Sequence, residues 1–329
     1  MFTSTMMSGT ILSISSMSWF TAWIGLEINM LSIIPLMKNF NNKLSAESAI
    51  KYFMIQTMAS MILLFSVLLY SNSLMFNFKM MDLITLLLSL TLLMKMGAAP
   101  MHFWLPEVIS GSTWYITFII LTWQKINPMI LMSYLPTMKF LMISIILLSS
   151  LIGGLMGLNQ TCLKKILAYS SINHIGWMLA ALIQSTLTWM IYFLIYSLIN
   201  LILMSNFYIN NTNTMFQLSK LLSKNKINKF IFSMNFLSLG GLPPFLGFFP
   251  KWLTIFNLSI NNMHYLSFML IIFTLLSLFM YIRIIFTNIT LLNNESMKLI
   301  IMNKSYNLLS LCTNLSMSFM LIILSMPLL

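Results

Sequence analysis

The sequence predicts an all-α polytopic membrane protein, and three observations carry that prediction. Hydrophobic residues make up 59% of the chain and charged residues only 7%, which excludes a soluble globular domain. The apolar residues are gathered in runs that recur from end to end, near the roughly twenty residues a helix needs to cross a bilayer. These runs lack the two-residue alternation of barrel strands, and only helices or closed barrels satisfy their own backbone hydrogen bonds in lipid.

Taking the runs in order gives about eleven spans when each is read between its polar breaks. They lie near 2–18, 19–37, 49–71, 82–111, 113–135, 139–157, 166–183, 186–206, 229–258, 264–286 and 307–326. The first two are joined by a short apolar connection around Ser16 to Trp19. The fourth and ninth are longer than a crossing requires, so each is expected to be broken or strongly tilted. Their sequences show where. Lys95 to Glu107 reads KMGAAPMHFWLPE and Gly240 to Trp252 reads GGLPPFLGFFPKW, with glycines, prolines and a lysine inside otherwise apolar stretches. Such Gly/Pro-broken segments, one in each half of a chain, point to a site built near the bilayer midplane between repeats. The longest connection, Tyr208 to Lys229, is polar, Asn-rich and basic and reads as a surface loop; no soluble domain is evident.

The net charge of +12 does not imply nucleic acid, because the lysines are scattered over short connections and form no aromatic-interleaved basic face. They read instead as topology signals. With eleven alternating spans, one side receives Lys38, Lys43, Lys51, Lys164, Lys165, Lys220, Lys224, Lys226, Lys229, Lys298 and Lys304, with Arg283 near it; the other receives Lys79 and Lys139. The N-terminus is then on the inner side and the C-terminus on the outer. No basic residue precedes Lys38, so neither a signal peptide nor a transit peptide is apparent, and synthesis inside the compartment whose membrane it enters is expected. The 33 methionines and the preference for lysine over arginine suit an AT-rich, mitochondrial type of genome. Cys162 and Cys312 lie far apart, with no CxxC spacing, so no disulfide framework or iron–sulfur site follows.

Three basic residues remain unassigned to either side: Lys95, Lys125 and Lys251. An ionisable group retained at such depth is a functional-site candidate, since a lysine at a helix centre costs about 2.5–3.5 kcal/mol. Glu27, in WIGLEINML, is the acid set deep in a span, and these lysines are its candidate partners. A purely structural Glu27–Lys95 bridge is one reading. The other is that lysines held without full compensation load and release protons. Lys125, in LTWQKINPM, precedes Pro128, which lacks a backbone donor and frees a carbonyl nearby; alternatively its amine snorkels to an interface. Lys251 follows Pro250 in the second broken stretch. His174, among Ser170, Ser171 and Asn173, suits either proton relay near neutral pH or hydrogen-bonded packing. His102 and His264 read as span-end residues. Dispersed histidines without paired acids give no metal spacing, and there is no GxGxxG or P-loop for a nucleotide.

The ordered set WIGLEINMLSIIP, AESAIKYFMIQTMAS, KMGAAPMHFWLPEV, LTWQKINP, GLNQTCLKKILAYSSINHIGWM and SLGGLPPFLGFFPKW resembles the antiporter-like membrane subunits of respiratory complex I over almost the whole chain. The resemblance implies one antiporter-like transmembrane domain over 1–329, with two inverted repeats, each holding a broken helix, and a polar axis for proton translocation. By the same resemblance Glu27 is the glutamate of the uptake half, Lys95 the broken-helix lysine, Lys125 the connecting lysine and Lys251 the lysine of the second broken helix. His174 matches a histidine that one branch of the family carries after SSI. About eleven spans resembles a shortened animal form without three N-terminal helices of bacterial relatives. The resemblance further implies the mitochondrial inner membrane, with the N-terminus in the matrix and the C-terminus in the intermembrane space. The implied partners are other complex I membrane subunits, especially neighbouring antiporter-like ones, and membrane lipids. NADH, FMN, iron–sulfur clusters and ubiquinone are implied to belong to other subunits, with no cofactor or metal bound here.

A Glu–Lys pair about 7 Å apart interacts by roughly 2.4 kcal/mol at an effective dielectric of about 20. A membrane potential of about 180 mV opposes each charge by about 4 kcal/mol. Pair breaking is therefore too weak alone, and hydration changes along the axis must contribute. Rival readings are a free-standing sodium–proton antiporter, a quinone-site subunit and a structural spacer. The short N-terminus disfavours the first, and no polar headgroup pocket favours the second.

Overall fold

The computed structural model of the chain describes residues 1–38, 42–71, 78–136, 139–222, 226–243 and 245–290. The expected span at 307–326 and Lys224, Lys298 and Lys304 lie outside these residues. Among the described residues every regular element is an α-helix, beside one isolated bridge between Cys162 and Thr214, so the all-α expectation holds. Among the described residues six helices are long and apolar enough to cross a membrane.

The chain divides into two compact units, Met1–Ser149 and Ser150–Leu329. The first holds α1 (Phe2–Ile14), α2 (Trp19–Met37), α3 (Lys43–Ser71), α4 (Phe78–Met96), α5 (Trp104–Gly111), α6 (Trp114–Leu121), α7 (Trp123–Ser133) and the start of α8 (Lys139–Leu158). Ser18 caps α2 by accepting from Thr21 N at 3.3 Å. Gly25 lets α2 lie against α1 backbone to backbone, since a Cβ there would stand 2.7 Å from Ser13 N and 2.9 Å from Gly9 O. Small residues at such crossings replace hydrophobic drive with close packing. Helix α3 starts earlier than its apolar run, because Lys43 to Ser48 continue the helix beyond the oily stretch. Lys51 sits within the helix, inside its apolar run. It meets Glu47 at 2.8 Å and Glu107 of α5 at 3.0 Å.

The second unit holds the rest of α8, then α9 (Leu163–Gln184), α10 (Thr186–Asn210), α11 (Met215–Leu222), α12 (Lys226–Gly240), α13 (Phe248–Ile260) and α14 (His264–Thr290). In α9, 83% of the apolar stretch is buried, against 33–50% in the other five long helices. It is therefore an interior helix, and its small and polar residues Ser170, Ser171, Asn173 and His174 are tolerated because protein surrounds them. Helix α10 is two-faced in the membrane sense. Leu187, Met190, Leu194, Leu198 and Leu201 are exposed at helical spacing, while Tyr192, Tyr196 and Asn200 face inward. The stretch from Tyr208 to Lys229 is not wholly a loop, since it contains α11 and the start of α12. The helix was missed because polar asparagines flank only two turns of apolar periodicity.

Both long runs are broken where glycine allows it. Gly97 has φ +77° and Gly241 φ +72°. At the first break Gly97 N donates to Met94 O and Ala98 N to Leu93 O; at the second Gly241 N donates to Ser238 O and Leu242 N to Leu237 O. Each is a Schellman end, with a left-handed residue after the last turn. The fifth run is interrupted as well, at Thr122, where α6 stops and α7 starts.

Candidate functional site

In the first unit, Lys95 occupies the last turn of α4, a helix that packs on α3 and α7. Its side chain is buried, as are those of Lys125 and Lys251, with 6%, 1% and 6% of the residues exposed, respectively. Beside Lys95 is a small cavity of about 10 Å³ lined by Asn29, Tyr52, Gln56, Gln124 and Pro128. That is about what one water requires, and the polar lining supplies partners for it. Gln124 Nε2 donates to Asn29 Oδ1 at 2.9 Å, Tyr52 Oη to Gln124 Oε1 at 3.3 Å, and Gln56 Nε2 to the Lys95 carbonyl at 3.5 Å.

Glu27, on α2, lies within electrostatic range of Lys95 and Tyr52. Its Oε1 is buried with no hydrogen-bond partner among the described residues. This oxygen therefore makes no direct hydrogen bond to Lys95. Lys125 stands in the first turn of α7, where its N–H reaches Thr122 O at 3.1 Å. Pro128 brings no donor to the Gln124 carbonyl four residues before it. Lys125 does not line the Lys95 cavity; its neighbour Gln124 does. His102 is buried in the break between α4 and α5, with Nδ1 3.1 Å from Pro100 O.

In the second unit, Lys251 lies in the first turn of α13 and its Nζ donates to Gly240 O, the end of α12, at 2.9 Å. The ammonium stands 5.7 Å from the Trp177 ring centre, within range of a cation–π interaction. His174, on α9, has Nδ1 2.9 Å from Tyr192 Oη, and its ring centre is 5.0 Å from that of Tyr196. A second small cavity is lined by His174, Tyr192, Tyr196, Ser238, Gly247 and Pro250, so it extends to the turn that carries Lys251.

Each unit thus gathers buried hydrogen-bonding groups around a helix break, with a lysine at the negative end of the half-helix before it. Such an arrangement can bind, hold and release protons without a redox group. Tyr52, Asn29 and Tyr192 were not singled out in the sequence. Polar residues in an apolar run mark Asn29, whereas the tyrosines carry no local signal.

Comparison with known proteins gives a consistent picture. The family model described as NADH:quinone oxidoreductase/Mrp antiporter, TM, matches residues 16–280. NADH-ubiquinone oxidoreductase chain 2 of Anopheles gambiae is 47% identical over 310 residues, covering 92% of this chain and 89% of that one. The Locusta migratoria protein of the same name is 44% identical, covering 90% and 86%. Among solved structures, respiratory complex I from Thermus thermophilus with bound aureothin contains a chain that aligns with a TM-score of 0.83 at 22% identity, over 95% of this chain and 75% of that one. A chain of the Mrp complex from Dietzia sp. aligns with a TM-score of 0.74 at 15% identity, over 96% and 73%. The two structural likenesses are of fold.

Proposed function

The chain belongs to the NADH:quinone oxidoreductase/Mrp antiporter family of transmembrane proteins, and from that premise we infer that it works as a core membrane-arm subunit of respiratory complex I. It moves protons across the mitochondrial inner membrane while electrons pass from NADH to ubiquinone elsewhere in the complex. The observation that carries the mechanism is the pairing of a buried lysine with a helix break in each unit: Lys95 before Gly97, and Lys251 bonded back to Gly240.

The chain is one antiporter-like transmembrane domain over 1–329, with about eleven crossings and two inverted repeats. Its N-terminus faces the matrix and its C-terminus the intermembrane space. Neighbouring antiporter-like subunits and lipids cover its apolar flanks, and NADH, FMN, iron–sulfur clusters and ubiquinone are held by other subunits. Glu27, Lys95, Lys125, His174 and Lys251 form the translocation axis. Glu27 biases Lys95 by its charge. Lys95, Lys125 and Lys251 hold protons in turn, since a compact ammonium can give up its proton where a guanidinium cannot. His174, held at Nδ1 by Tyr192, passes a proton at its other nitrogen. Redox energy reaches these groups as changes in hydration and charge.

Purification tests the reading. From solubilised inner membranes, a tagged chain is expected to bring down the flavin and iron–sulfur subunits together with NADH:quinone reductase activity. A chain that purifies alone and exchanges sodium for protons without NADH overturns it.

A further inference from the structure

We propose that Tyr52 is a positioning residue for proton translocation, its hydroxyl held by the Gln124–Asn29 amide pair so that an oxygen lone pair presents an acceptor, through one water, to Lys95. The inference rests on the proton-carrying role of Lys95 and goes beyond it by assigning what holds that proton in place.

The geometry that supports it is a directed chain across three helices. Asn29 on α2 accepts from Gln124 Nε2 on α7 at 2.9 Å, which leaves Gln124 Oε1 as the acceptor that Tyr52 on α3 meets at 3.3 Å. A phenol has one proton to donate, and here Gln124 takes it; the oxygen keeps its lone pairs for acceptance. Tyr52, Gln124, Asn29 and Lys95 all line the cavity with room for about one water. Gln56 spends one of its two amide N–H groups on the Lys95 carbonyl at 3.5 Å. The chain therefore ends at Tyr52 in an acceptor, the partner an ammonium needs and a neutral amine does not. The proton stays on Tyr52 throughout; only Lys95 gains or loses one.

The surroundings agree. Glu27 on α2 lies within electrostatic range of both Tyr52 and Lys95, so the phenol shares the lysine's surroundings. Tyr52 brings the titratable phenol from α3, while α7 lines the cavity with the uncharged Gln124 and Pro128. Tyr52 is held in place independently of its hydroxyl, by burial and by an edge contact with Trp104 at 5.9 Å between ring centres. Phenylalanine can keep that packing and remove only the oxygen.

The experiment uses the assembled complex in sealed inner-membrane vesicles, with NADH-driven proton flux and quinone reduction followed against pH. With Tyr52→Phe the alkaline limb of the flux profile is expected to move toward lower pH by about half to one unit, the scale of one hydrogen bond to a titrating group. Gln124→Leu, which keeps the hydroxyl but removes its anchor, is expected to move it in the same direction. A uniform fall in flux with no displacement, or an unchanged profile, overturns the proposal. Failure of both variants to assemble does so too, since the two residues are then structural. Lys95→Ala measured alongside separates the two levels. A normal Tyr52→Phe beside a defective Lys95→Ala removes only this inference, whereas normal pumping by Lys95→Ala removes the reading beneath it.

Discussion

Lys251 reaches from the first turn of α13 across the break to donate a 2.9 Å hydrogen bond to the Gly240 carbonyl, the last residue of α12. Lys95 needs no such reach, because it lies in the last turn of α4 itself. The two lysines stand on opposite sides of their breaks in sequence, Lys95 within the last turn of α4 and Lys251 with its ammonium on the C-terminal end of α12. That end carries about half a negative charge and stabilises a partly buried cation by up to ~2 kcal/mol. It offsets much of the roughly 2.5–3.5 kcal/mol that a lysine costs at this depth. A proton can therefore be held there without a carboxylate in contact, and released when the local field or hydration changes.

The glycine beside that bond gives a sharp test. A Cβ at Gly241 would lie 2.8 Å from Lys251 Cδ and 2.9 Å from Nζ, on a backbone with φ +72°. Gly241→Ala should strain the left-handed turn by about 1–2 kcal/mol and push the ammonium off Gly240. Gly240→Ala meets only ordinary contact, with Tyr281 Cδ2 at 3.5 Å, and serves as the control. Comparing the amount of assembled complex and its proton flux, we expect a much larger loss of pumping per assembled complex in Gly241→Ala. Equal flux in the two variants would show that the position of Lys251 is immaterial.

Glu27 is expected to tune its neighbours rather than hold the helices together, because its buried Oε1 has no hydrogen-bond partner among the described residues and it lies within electrostatic range of Lys95 and Tyr52. Glu27→Gln keeps the size and removes the charge. Charge coupling of roughly 2 kcal/mol corresponds to on the order of 30-fold in proton occupancy. Proton flux should fall severalfold while assembly, followed on native gels, stays near normal. Loss of the assembled complex would make Glu27 a packing residue.

Much of this was legible in the sequence because it is local. Hydrophobic run length marks the helices, and α2 coincides with its expected 19–37. Glycine followed by proline marks the breaks at Gly97 and Gly241, since both residues act on the backbone directly. The break at Thr122 was hidden, for neither glycine nor proline sits there; instead Thr122 Oγ1 bonds Phe118 O at 2.6 Å, a local competitor of the helix ladder. The chain from Tyr52 through Gln124 to Asn29 was hidden for another reason. Its hydrogen bonds join residues 72 and 95 positions apart, so they exist only once three helices are packed.

Orientation has its own expected outcome. Asn211 caps α10 in a left-handed turn and Asn262 lies in the turn after α13, both with positive φ and both outside the long helices. In a background without Cys162 and Cys312, a cysteine placed at Asn211 should react with an impermeant maleimide only from the matrix side. One placed at Asn262 should react only from the intermembrane space. Labelling of both from one side would break the alternation on which the inner and outer lysine sets rest.

The decisive variants are at Lys95. If it carries a proton in turnover, Lys95→Ala removes a relay that redox chemistry elsewhere must drive, so NADH:quinone turnover and proton flux should fall together. Electron transfer from NADH to a hydrophilic artificial acceptor should persist, since that path needs no proton movement through this chain. Lys95→Arg discriminates further. Guanidinium keeps the charge at the end of α4 but does not release its proton at any accessible pH. A spacer needing only a cation there would tolerate arginine, whereas a proton carrier would not. The cavity beside Lys95, with room for about one water, also leaves little space for the larger planar head. Assembly must therefore be measured beside activity, so that a crowding defect is separated from a protonation defect. Assembled Lys95→Arg complex that reduces the artificial acceptor normally yet neither pumps nor reduces quinone is the expected result. Normal coupled pumping by that variant would rule out proton carriage by Lys95.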